Sequence, residues 1–207
     1  MRILGIVPAR KGSKRVMLKN VQQAKFSAIL LPITARVLPA GERSRVSFDA
    51  FFMHILAHEL AHGLGLHTIQ IAGRQTTVRQ ELGELYSTIE EAKADILALF
   101  VVQYLLDNQQ RLGLKGLFGP DAERELYTTF LASSFRTLRF GIEEAHARSM
   151  AVQLDFLLDQ KAVRANRDGT FSLDLKRFKA AAPQLARRLL TIEVTGDKAA
   201  AAKLLKE

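Results

Sequence analysis

His58-Glu59-Leu60-Ala61-His62 is an H-E-x-x-H run. Two histidines four residues apart on a helix project from one face. Their imidazoles can share one zinc ion, with the intervening glutamate placed to act on a bound water. The chemistry implied is zinc-dependent hydrolysis, with peptide bonds as the first substrate class. The chain has only five histidines in 207 residues, so a pair at this spacing is informative. Without a metal, the same run is a buried helix whose histidines are satisfied by polar neighbours. A buried, unpartnered Glu59 would then be costly; a metal gives it a task.

Catalytic zinc usually takes three protein ligands and a water. Two downstream segments offer a third. His67 follows His62 by five residues, but H-E-x-x-H-x-x-G-x-x-H places its last histidine at position 68, which is Thr68 here. The stronger candidate is Glu90-Glu91-Ala92-Lys93-Ala94-Asp95. Ser87 and Glu90 have the spacing of a capping box, which would start a helix there and put Glu91 in its first turn. Asp95, four residues on, shares the face of Glu91. Glu91 would bind the metal while Asp95 orients a ligand histidine through its other ring nitrogen. Glu90 competes for the ligand role, and the bland reading of the segment is a solvated acidic helix start.

Helices must position these residues. Ser47 can cap a helix over 47–64, with Asp49 in its first turn. Phe48, Phe51, Phe52, Ile55 and Leu56 supply an apolar surface that Leu60 and Leu64 extend, and Gly63 and Gly65 end it. A second zinc-site helix is expected over 87–106. Further helices are expected over 21–38, interrupted by Pro32, and over 121–134, 142–160, 180–191 and 198–206. The segment 72–79 is polar and Thr-rich and is expected to be a loop; 112–120 is a turn region. Asp168-Gly169 between two short apolar runs predicts a β-hairpin within 163–175. The fold class expected is mainly α: a helical zinc-metallopeptidase lobe with the H-E-x-x-H helix, a second ligand helix and a small β-hairpin. Residues 1–15 form a basic N-terminal segment, and 16–207 a single helical zinc-binding domain of catalytic type. The opening MRILGIVPARKGSKR resembles that of sugar-nucleotide cytidylyltransferases, but no alternating strand–helix pattern follows it.

HELAHGLG together with EEAKAD resembles the dipeptidyl-peptidase III family, especially its shorter bacterial relatives, and the likeness runs from about Lys11 onward. It implies His58, His62 and Glu91 as zinc ligands, one Zn2+ per chain, and Glu59 as the general base. Family members mostly carry one more residue between the two histidines. A later histidine that binds substrate and stabilises the transition state matches His146 in Glu144-Ala145-His146-Ala147-Arg148. Read without the resemblance, His146 is a surface or core-lining histidine. Tyr86, Arg136 and Arg139 are further candidates to meet developing negative charge. The family's usual upstream tyrosine has no counterpart before Tyr86. The resemblance covers only the zinc-bearing lobe of longer members, so a second lobe that would close over a cleft is missing from it. A catalytically inactive zinc-binding structural or regulatory module is therefore the alternative to a metallopeptidase.

Composition narrows the classes. There is no cysteine, which excludes disulfides and thiolate metal sites. Hydrophobic residues make up 48% of the chain, enough for a sizeable core. No apolar run approaches the ~18 residues of a membrane span, so a cytoplasmic protein without membrane contact is expected. The net charge of +9 is spread along the chain without interleaved stacking aromatics, which argues against specific nucleic-acid binding. The expected partner is a peptide substrate, with a homo-oligomer or a second lobe covering the cleft face.

Overall fold

The most continuously apolar stretch of the sequence becomes the helix on which the others pack. The computed structural model describes residues 14–116 and 118–206; the first thirteen, where the cytidylyltransferase-like opening falls, lie outside it. Helix α1 (Lys14–Lys25) runs through a π-helical turn (Phe26–Leu30) into α2 (Leu31–Val37). Pro32 was expected to interrupt this segment. Instead, the wide π turn just before it absorbs the missing N–H and the ring's crowding of the preceding turn. A 3₁₀ turn (Ala40–Arg45) leads to α3 (Phe48–Ala61), whose N-cap Ser47 accepts from Ala50 N at 3.1 Å, as its sequence predicts.

After α3, strands β1 (Thr68–Ile71) and β2 (Arg74–Thr77) pair antiparallel with Ile71 opposite Arg74. The expectation of a loop over 72–79 is thus corrected. Ala72 and Gly73 both have positive φ, 49° and 79°, the turn that matches strand twist in a two-residue hairpin. The pattern was missed because these strands bury little: only Ile69 and Thr76 are sequestered. A short helix α4 (Val78–Leu82) begins with a capping box between Thr77 and Gln80, and a 3₁₀ turn (Gly83–Leu85) leads into α5 (Tyr86–Asp107). A capping box was expected at Ser87 and Glu90 instead. Ser87 lies inside the helix, no side chain caps α5, and Glu91 sits in its second turn.

Helix α5 is central. It packs on α3, on α7 (Ala145–Asp159) and on α8 (Leu175–Thr195). Its buried residues fall on every side, including Ile89, Ala92, Ile96, Leu99 and Val102, as a core helix requires. Helix α6 (Ala122–Leu138) crosses α3 and α7. The expected second hairpin forms from β3 (Val163–Ala165) and β4 (Phe171–Leu173), and α9 (Lys198–Leu204) closes the described chain. Phe26, Phe48, Phe51 and Phe52 join the first helices to α3 through ring contacts at 5.6–5.8 Å. Leu60 and Leu64 do not extend that apolar surface inward: they are 72% and 44% exposed. Among the described residues, no helix is long and apolar enough to cross a membrane.

Candidate metal centre

Glu90, Lys93 and Asp95 are buried within α5 among apolar side chains. Charges in such a place need partners, and the partners come from three other helices. Asp95 Oδ1 accepts from His58 Nδ1 at 2.8 Å and its Oδ2 accepts from Gln153 Nε2 of α7 at 3.0 Å. Glu90 Oε1 accepts from His62 Nδ1 at 3.0 Å and from Lys93 Nζ at 2.8 Å. Lys93 also donates to the carbonyl of Leu64 at 2.8 Å, tying the loop after α3 to α5. Gly65 in that loop has φ +96°, and a Cβ there would come within 3.6 Å of Glu193 Oε2. Glu193, on α8, is buried within hydrogen-bonding reach of Glu90.

His58 and His62 are therefore each held by a carboxylate at Nδ1, which fixes the tautomer and turns Nε2 outward. The two Nε2 atoms face each other at 3.1 Å. Glu91 Oε2 lies 3.3 Å from His58 Nε2 and 3.8 Å from His62 Nε2. His146 Nε2 approaches the same oxygen at 3.0 Å, and His58, Glu91 and His146 offer ligand atoms all within 4.8 Å of one another. Zinc bonds of about 2.0–2.1 Å set tetrahedral donors roughly 3.3 Å apart, so this spacing suits a zinc ion. Glu91 Oε2 is buried and has no aligned hydrogen bond despite its ring neighbours, the signature of an acceptor meant for a cation.

The electrostatics agree. Burial disfavours charge on His58, yet its hydrogen bond to Asp95 and the nearby Glu91 carboxylate outweigh it and raise the ring to about 10. Burial would likewise raise Glu91, but contacts with His146 and His58 bring it down to about 2. Asp95 is also lowered: its hydrogen bond to His58 overcomes burial. In the metal-free chain a proton on His58 bridges these groups. A divalent cation meets the same need with more donors.

The sequence-predicted residues fall as follows. His58, His62, Glu91, Asp95 and His146 converge. Glu59 is exposed and lines a cavity with His58 and His146. His67 is exposed at the foot of β1, its carbonyl accepting from Val78 N, and lies outside the cluster. Tyr86 sits by Glu90 and Glu193, under the Arg79 guanidinium. Arg139 lies over the exposed Phe140 ring. Arg136 lines the cavity beside His58.

Several residues here escaped the sequence reading. His54 continues the His58–His62 stripe one turn earlier. It donates to the Asp95 carbonyl at 3.1 Å, and burial is the main cause that lowers its pKa. Its spacing could have shown it. Gln153, Lys93 and Glu193 carry no sequence signal, because only packing brings them in.

Comparison with known proteins can now be set against this geometry. No family model matches the chain. The structure of dipeptidyl-peptidase III from Corallococcus sp. strain EGB superposes with a TM-score of 0.85 at 50% identity, over 92% of this chain and 34% of that one. This chain is a relative of dipeptidyl-peptidase III. The enzyme from Caldithrix abyssi gives 0.84 at 41% identity, over 91% of this chain and 35% of that one. The helical architecture with its small antiparallel pairs is thus a dipeptidyl-peptidase III architecture. A curated plant relative, Nudix hydrolase 3 of Arabidopsis thaliana, is 43% identical over 198 residues, 95% of this chain and 25% of that protein. The chain spans about a third of the solved relatives and a quarter of the curated one. All three relatives are named as hydrolases.

Proposed function

We propose that the chain carries the metal centre of a cytoplasmic zinc peptidase of the dipeptidyl-peptidase III type. The observation that carries this is the facing pair of Nε2 atoms at 3.1 Å with the unsatisfied Glu91 oxygen beside them. His58, His62 and Glu91 are the ligands in this reading. His62 is preferred to His146 because its ring is locked by a buried carboxylate, whereas the His146 side chain is 66% exposed. Zinc bound there supplies Lewis acidity, polarising a carbonyl and acidifying a water. Glu59 accepts the water's proton as the water attacks and hands it to the leaving amine. His146, whose contact with Glu91 raises its pKa, donates to the developing oxyanion. Asp95 and Glu90 keep the ligand rings oriented.

Metal analysis of the purified protein, followed by peptide-library cleavage with and without chelator, tests the reading. One zinc per chain and chelator-sensitive cleavage are expected. Absence of bound metal would overturn it. Zinc without cleavage would favour the alternative of an inactive zinc-binding module, which draws on the chain's matching only about a third of its solved relatives.

A further inference from the structure

A cavity of about 200 Å³ opens beside the metal centre, lined by α1, α3, α5, α6 and α7. Its lining includes His58, Glu59 and His146, the groups assigned to the chemistry, together with Ser133 and Arg136 of α6 and Lys25 of α1. Ser133 and Arg136 are three residues apart on one helix and so present to the same side. Arg136 Nε is buried with no hydrogen-bond partner, and so is Ser133 Oγ. The guanidinium packs 5.5 Å from the Phe51 ring, which holds it against an apolar wall and gives it no hydrogen bond. The carboxylate that acts on it through space is Asp95, but both Asp95 oxygens are already committed, to His58 and to Gln153. Burial and the neighbouring Arg139 disfavour its charge further. A guanidinium does not escape by deprotonation, so its unpartnered Nε calls for an acceptor, which an anion entering the cavity would supply. Two donors on one helix face, one charged and one neutral, match a carboxylate.

We infer that Arg136 and Ser133 form a subsite for the C-terminal carboxylate of a short peptide. The inference rests on the peptidase reading for the identity of the ligand, and its test is separable from it. Tetra-alanine as the free acid and as the C-terminal amide are the probes. Binding is measured by calorimetry on zinc-loaded Glu59→Gln protein, and cleavage on the unsubstituted protein. The acid should bind roughly 10- to 100-fold more tightly than the amide, the worth of a charge-assisted pair. Arg136→Met should bring that ratio close to one, Arg136→Lys should leave it in between, and Ser133→Ala should reduce it several-fold, each with zinc content and melting temperature preserved. If Arg136→Met fails to fold, the Lys and Ala variants decide. Equal binding of acid and amide, binding of neither, or an unchanged ratio in the variants would overturn the subsite. Acid-selective binding without cleavage would sink the peptidase reading and leave the subsite standing.

Discussion

Glu91 is the residue on which the centre turns. Its buried oxygen faces three ring nitrogens, whereas His58 and His62 each also have a carboxylate at Nδ1. Glu91→Ala should therefore lower zinc affinity by well over 100-fold, beyond the 10- to 100-fold typical of losing a group that merely orients a ligand. Competition with a chromophoric chelator reads this directly. An unchanged affinity would move the ligand role to His146. Glu90→Gln, by contrast, keeps the shape at His62 and loses only the charge that orients its ring, so a drop of about 10- to 100-fold is expected. Glu59 is different again. It is exposed and does not touch the ligand oxygen, so Glu59→Gln should leave zinc content at one per chain while cutting kcat by roughly 10²- to 10⁴-fold, the usual worth of a general base. Turnover near the unsubstituted rate would remove Glu59 from the mechanism.

At the scale of elements, α3 and α5 are joined through a buried cluster that α8 completes. Lys93 is the cation between Glu90 and Glu193, and all three are nearly inaccessible. Burial, with Glu90 beside it, pushes Glu193 up to about 8 from 4.5. Its proton is thus held more tightly in the folded chain than in the unfolded one. The resulting stability is fully present below about pH 4.5 and is lost as pH rises through about 8. Glu90 is shifted the other way, so its contribution is lost only as pH falls below 4.5, outside this window. Glu193→Gln, which keeps a neutral hydrogen-bonding group in place, should flatten the fall in urea midpoint between pH 5 and 8; an equal slope in both proteins would show that Glu193 does not carry it. The spacing of ligands along α3 and α5 was open to the sequence, because a helix repeats every 3.6 residues whatever surrounds it. So were the Ser47 cap and the Asp168-Gly169 hairpin, whose signals are local. The capping box at Ser87 was not real: Glu90 is drawn to His62 and Lys93, partners set by tertiary packing. The β1–β2 hairpin escaped because exposed polar strands lack alternation, and Gln153 and Glu193 escaped because their roles exist only once α7 and α8 have packed on α5.

On the scale of the whole molecule, the centre draws its side chains from α3, α5 and α7, with α8 behind them, so metal binding and global stability should be linked. A ligand that binds only the folded chain stabilises it by RT ln(1 + [L]/Kd), about 2.7 kcal/mol at one hundred times Kd. For a chain of this size each kcal/mol moves the melting temperature by roughly 2–4 °C. Zinc at that excess should thus raise it by about 5–10 °C, and a chelator should reverse the gain. In the metal-free chain, the proton on His58 and the ion pairs to Glu91 hold the same helices together, so the protein should remain folded without metal rather than collapse as a small zinc module does. Leu60, Leu64 and Leu66 stand exposed beside the centre and take no part in this coupling, so truncating them should leave the zinc-induced shift unchanged. Scanning calorimetry of the unsubstituted and Glu91→Ala proteins, each with zinc and with chelator, separates the possibilities. A shift in the first and none in the second places the stabilisation at this centre; equal shifts in both would mean zinc acts elsewhere on the fold.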